Sequence, residues 1–149
     1  MRETILSKLK HEHRQIESLL TQIETCHDIV QKKALYLDLE AQLLPHMEGE
    51  ERTLYAELKQ VESDEQAFRL ARLADLEHRR VKELLAQLDQ IGIENQDWSR
   101  AFADLKSHIK EHFQEEETDL FAEAKEDFSA EELAEFADNF EKVKHHISP

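Results

Sequence analysis

Pro45-His46-Met47-Glu48-Gly49-Glu50-Glu51 is the stretch whose reading decides the fold, because its chemistry returns 66 residues later as His112-Phe113-Gln114-Glu115-Glu116-Glu117. Each copy carries a histidine and a glutamate four apart, His46 with Glu50 and His112 with Glu116. On an α-helix, positions i and i+4 lie one above the other on one face, so each copy aims an imidazole and a carboxylate at one point in space. That pairing suits first-row transition metals, iron among them, and a carboxylate has two oxygens with which to span neighbouring ions. Whether the rest of the chain supplies the remaining ligands decides between a metal centre and a helix with two buried polar residues.

The 149 residues include two Gly and two Pro, with Ala, Leu, Glu, Lys, Gln and Arg abundant. This composition describes long helices with short connections and leaves little for strands; the fold class is all-α. A formal charge of −15 argues against nucleic acid and against an anionic membrane surface as partners. It also makes about two bound dications electrostatically welcome. Met1 to Lys10 contains no signal-peptide core, and no apolar run reaches membrane-spanning length, so a soluble, cytoplasmic protein is expected. Cys26 stands alone and can build neither an intramolecular disulfide nor a cysteine metal site; it reads as a small helix-end residue.

From Ile5 to Cys26, Leu6, Leu9, Ile16, Leu20 and Ile23 form a helical stripe with one gap, and His13 fills it, facing the core. His11 falls on the solvent side. A second helix is expected from Ile29, capped by Asp28, to about Val61, with His46 and Glu50 in mid-stripe and a kink where Pro45 removes a hydrogen bond. Gly49 would admit close approach of a neighbouring helix. Ser63-Asp64-Glu65-Gln66 fits a capping box opening a third helix, whose stripe of Ala71, Ala74, Val81, Leu85 and Leu88 again holds a histidine, His78, and which stops at Gly92. Asp97 is expected to cap a fourth helix through Trp98, Phe102, Leu105, Ile109, His112, Glu116 and Leu120, ending near Asp127. Ser129-Ala130-Glu131-Glu132 is a second capping box, before a fifth helix with Leu133, Phe136, Phe140 and Val143 on one edge and His145 and His146 at its tail.

His13-Arg-Gln-Ile-Glu-Ser-Leu-Leu-Thr-Gln-Ile23 and His78-Arg-Arg-Val-Lys-Glu-Leu-Leu-Ala-Gln-Leu88 are versions of one segment, so the first 127 residues read as a helical hairpin used twice. His13 lies about 14 residues before the first turn and His46 about 17 after it; at about 1.5 Å per residue they reach within about 5 Å of one level in an antiparallel pair. The same comparison holds across the other turns. In an up-down-up-down four-helix bundle over about residues 5–127, with an additional C-terminal helix over about 129–146, one layer receives His13, His46, Glu50, His78, His112 and Glu116. Four imidazoles and two carboxylates buried together without a metal would be costly.

One histidine, then His-x-x-x-Glu, then one histidine, then His-x-x-x-Glu, one group per helix, resembles the hemerythrin-like family, the HHE cation-binding domains, over about residues 5 to 126. The resemblance implies a non-haem di-iron centre inside the bundle. His13, His46, His78 and His112 would be terminal nitrogen ligands, and Glu50 and Glu116 would bridge the irons beside an oxo or hydroxo group. Which two histidines share an iron stays open. Oxygen-carrying members have a fifth histidine where this chain has Ala74, so the four-histidine pattern looks more like members that respond to nitrosative or oxidative stress, help repair iron-sulfur clusters or sense iron. The implied ligand is O2, NO or peroxide. The donor set also accepts Mn or Zn.

His108, one turn before His112, has Gln42 as its repeat counterpart and reads as structural. Glu51 and Glu117, rotated about 100° from the bridging candidates, read as solvated. Tyr55 and Phe121 read as packing against the fifth helix. Ferritin-type sites use Glu-x-x-His on two helices, and only Asp75-x-x-His78 comes close. The functional expectation is a di-iron binding or sensing protein acting in stress response or iron homeostasis. A di-iron enzyme, peroxidase-like or NO-reducing, and a metal-free helical interaction module are the alternatives, separated by turnover with an electron donor and by metal content.

Overall fold

The computed structural model describes residues 2–147, which lie in helices, in the short segments that join them and in the three residues before the first helix. Helix α1 (Ile5–Thr25) starts at Thr4, whose side-chain oxygen accepts the Ser7 amide and satisfies one of the donors a helix start leaves open. Asp28 does the same for α2 (29–59), accepting the Val30 amide at 3.2 Å. Helix α2 continues through Pro45; it runs as Ile29–Glu50, widens into one π-turn at Glu51–Tyr55, and resumes over Ala56–Lys59. Helix α3 is Glu65–Ile91, and α4 (98–127) is likewise interrupted by a π-turn at Glu116–Leu120. Helix α5 (Ala130–Ile147) opens with the expected reciprocal box: Ser129 N–H donates to Glu132 at 2.9 Å, and Glu132 N–H to Ser129 Oγ at 3.1 Å.

Two helix starts differ from the reading above. Asp64, not Ser63, caps α3, its carboxylate accepting the Ala67 amide at 3.0 Å, while Ser63 turns the chain with φ +67°. A residue in that left-handed conformation cannot also hold the extended geometry of a cap. Asp97 precedes α4 but is already helical and makes no side-chain cap; Asn95 instead accepts the Asp97 amide through its side chain and the Trp98 amide through its carbonyl. Gly92 ends α3 as expected, at φ +85°.

Helices α1 with α2 and α3 with α4 form the two hairpins, and α5 lies against α1 and α2. The core is in two apolar clusters, one toward the hairpin turns around Ile16, Leu39, Leu85 and Phe102, the other toward the chain ends around Leu9, Leu58, Ala71 and Phe140. Between them sit the buried polar side chains His13, His46, Glu50, His78, His112 and Glu116. The polar layer is thus held from both sides by close-packed hydrophobic material, which keeps water out and fixes rotamers. Among the described residues no helix is long and apolar enough to cross a membrane.

Gly49 is where α5 comes closest to α2: a Cβ there would lie 2.6 Å from Phe140 Cε1 and 2.8 Å from its Cδ1. Gly49→Val is expected to displace Phe140 and lower stability by about 1–3 kcal/mol, the usual cost of overpacking a filled site. Urea or thermal unfolding against wild type measures it.

Candidate metal centre

Two tetrads of ligand-type atoms form inside the layer, each with its atoms within 4.8 Å of one another: His13, His46, Glu50 and Glu116 in one, and His78, His112, Glu50 and Glu116 in the other. Each hairpin therefore supplies both imidazoles of one tetrad, which answers the pairing that periodicity left open, and both glutamates belong to both tetrads. The Nε2 atoms of His46 and His78 each stand 3.2 Å from Glu50 Oε1. His13 Nε2 is 3.1 Å from Glu116 Oε1 and 3.8 Å from Glu50 Oε2, and His112 Nε2 is 3.7 Å from Glu116 Oε2. Five of the converging atoms are buried without a hydrogen-bond partner: His13 Nε2, His46 Nε2, both oxygens of Glu50 and Glu116 Oε1. An orphaned buried polar group costs about 1–3 kcal/mol, more if charged. Cations at the two foci would satisfy all five, so the residues present fit a pair of metal ions.

Residues 4–124 match the family model described as the hemerythrin HHE cation binding domain. The chain belongs to that family. A solved structure, the hemerythrin HHE cation binding domain-containing protein from Mycobacterium kansasii, superposes with a TM-score of 0.84 at 22% identity, covering 97% of this chain and 86% of that one, which shows the shared fold. No curated protein matches the sequence.

Around the hemerythrin-type core runs a ring of four further carboxylates, and here the sequence reading is corrected. Glu51 and Glu117 are not solvated: Glu51 accepts His78 Nδ1–H at 2.8 Å and Glu117 accepts His13 Nδ1–H at 2.7 Å. Glu12 accepts His46 Nδ1–H at 2.8 Å, and Glu77 stands 3.3 Å from His112 Nδ1. The arrangement is cyclic: a carboxylate of α1 accepts from the ring on α2, one of α2 from the ring on α3 and one of α4 from the ring on α1, while Glu77 of α3 faces the ring on α4 without a hydrogen bond. A carboxylate at Nδ1 fixes the tautomer of the neutral ring, so that Nε2 turns its lone pair toward the centre once any second proton has left. The signal was present in the sequence: each of the four motifs has a Glu directly beside a ligand candidate, at Glu12, Glu51, Glu77 and Glu117.

Tyr55 is the other correction. Its hydroxyl lies at the centre, donating to Glu116 Oε2 and standing 3.3 Å from His78 Nε2. In an α-helix Tyr55 would sit about 140° around from Glu50. The π-turn closes i→i+5 bonds, so five residues bring the chain back under Glu50 and the phenol turns inward. Phe121 holds the same place after Glu116, and its ring stacks toward His13 at 6.3 Å between centroids. His108 is in neither tetrad, as its repeat counterpart Gln42 suggested.

Burial alone would depress the imidazoles, but facing carboxylates outweigh it: Glu116, Glu117 and Glu50 hold His13 well above its usual range, and Glu50 and Glu51 push His78 up to about 9. Burial would raise Glu50, yet His46 and His13 hold it well below the usual carboxylate range, whereas burial and the charge of Glu50 raise Glu116. Burial, then Glu116 and Glu50, keep Tyr55 protonated and a donor.

Proposed function

We propose that this chain is a di-iron binding protein of the hemerythrin type that takes up or senses a small oxidant or diatomic molecule, O2, NO or peroxide. His13 and His46 would hold one ion and His78 and His112 the other, with Glu50 and Glu116 bridging. The observation that carries the reading is the membership of Glu50 and Glu116 in both tetrads, with five unpartnered atoms turned to the shared centre. Imidazole with bridging carboxylate favours iron, and Mn or Zn are the competing occupants of such a donor set. Bound there, the iron pair supplies a redox-active, Lewis-acidic centre.

The chain's own residues prepare that centre. Glu12, Glu51 and Glu117 hold the His46, His78 and His13 imidazoles by hydrogen bonds at Nδ1, so these rings need no reorientation on binding. Tyr55 steadies the Glu116 carboxylate by donating to its Oε2. Phe113, stacked on His13 at 3.8 Å, excludes water from that side.

Metal uptake is linked to protons. In the metal-free protein the facing carboxylates raise His13 above its usual range and His78 to about 9, so each ring holds a second proton more firmly than a free imidazole; an ion at Nε2 takes the place of that proton. Apparent affinity should therefore fall as pH drops below about 9, by about tenfold per unit for each proton released. Titration calorimetry in buffers of different ionisation enthalpy counts those protons.

Elemental analysis and optical spectra of anaerobically purified protein, before and after air, test the reading. Two irons per chain and a near-ultraviolet charge-transfer band are expected. Protein from iron-replete cells that holds no transition metal would overturn it.

A further inference from the structure

The two halves of the centre are not equally open. Around His13 and His46 the packing is aromatic: Phe113 stacks flat on His13 and lies 5.9 Å from His46, and Phe140 meets His46 edge-on at 6.1 Å. The cavities on that side, one lined by Glu117 and another by Glu12, end at those outer carboxylates and reach neither an imidazole nor a bridging glutamate. On the other side a cavity of about 110 Å³ has His112 and Glu116 in its lining. Its wall is Ala74, one helical turn before His78 and small enough to leave the space open, together with Leu73. Its remaining polar lining is acidic, from Glu77, Glu115 and Asp119.

We propose that exogenous ligands reach the centre through this cavity and bind on its His78–His112 side, and that the acidic lining selects small neutral molecules over anions. The inference rests on the ligand assignment above. At about 30 Å³ per water, the space holds a molecule of a few non-hydrogen atoms and nothing larger. Carboxylates around a narrow opening repel an incoming anion and leave a neutral diatomic or hydrogen peroxide unaffected. The aromatic wall gives the His13–His46 side no equivalent route.

Two variants of the iron-loaded full chain test this. Ala74→Leu fills the cavity with three added carbons and replaces none of the assigned ligands. Its iron content and circular dichroism should match wild type, while stopped-flow association of NO with the reduced protein slows at least tenfold. The double variant Glu115→Gln, Asp119→Asn changes side chains on the exposed face of α4; azide association with the oxidised protein should rise several-fold at low salt, converge with wild type at high salt, and leave NO unaffected. Full iron with an unchanged NO rate in Ala74→Leu overturns the route. If that variant fails to fold or load, an azide rate in the double variant equal to wild type at low salt overturns the proposal. Wild-type protein without iron would instead overturn the ligand assignment on which it stands.

Discussion

Glu50→Ala should leave the protein with almost no bound metal at concentrations that saturate both sites of the wild type. No single imidazole substitution should do as much. Glu50 faces both tetrads, with one oxygen 3.2 Å from the Nε2 atoms of both His46 and His78, so its loss removes a ligand from each ion and the bridge that offsets their mutual repulsion. His46→Ala removes a donor from one tetrad and leaves His78, His112 and both glutamates, so at least one ion should be lost and the other retained. Glu116→Ala should resemble Glu50→Ala in direction. The fold should survive in each case, because Ala is the best helix former and the layer lies between two intact apolar clusters. What disappears is the stability that bound metal adds, about 4 kcal/mol at a thousandfold excess over the dissociation constant. Elemental analysis beside far-ultraviolet circular dichroism separates loss of metal from loss of structure; two ions retained in Glu50→Ala would remove the bridging role.

The six inward residues were legible because each breaks an apolar stripe at a position the stripe itself defines: His13 in the gap between Leu9 and Ile16, Glu50 between Leu43 and Leu54. The duplication then set their heights. Glu51 and Glu117 were misread because a rotation of about 100° from the core face was taken as solvent. In a four-helix bundle that edge meets the next helix, so the side chain finds an imidazole there. Tyr55 was misplaced for another reason: periodicity assumes one helix geometry throughout, and a single π-turn after Glu50 shifts the face of everything at i+5. At Ser63 and Asp97 the residue types suit a cap, but the neighbouring Asp64 and Asn95 take that part, and backbone dihedrals rather than residue type decided between them.

The cyclic ring of outer carboxylates leads to the second large effect, with a sign pattern that simple damage would not produce. Glu117 lies on α4 but orients His13 on α1, and Glu51 lies on α2 but orients His78 on α3. Glu117→Ala should therefore weaken the ion held by His13 and His46, and Glu51→Ala the ion held by His78 and His112, each by about 10- to 100-fold, or about 1.4–2.7 kcal/mol. Glutamine at either place keeps an oxygen to accept Nδ1–H but loses the charge, so its effect should fall between wild type and alanine. Glu48→Ala, at an exposed carboxylate paired with Arg52 on the same helix, should change nothing. A metal titration that resolves two binding steps reads the outcome: one step weakened and the other preserved in each alanine variant, with the affected step exchanged between them. Equal weakening of both steps, or of neither, would mean that the carboxylates contribute bulk charge instead of orienting individual rings. Selective weakening would show that the duplicated hairpin places each ion's imidazoles on one hairpin and divides their support between that hairpin and the other.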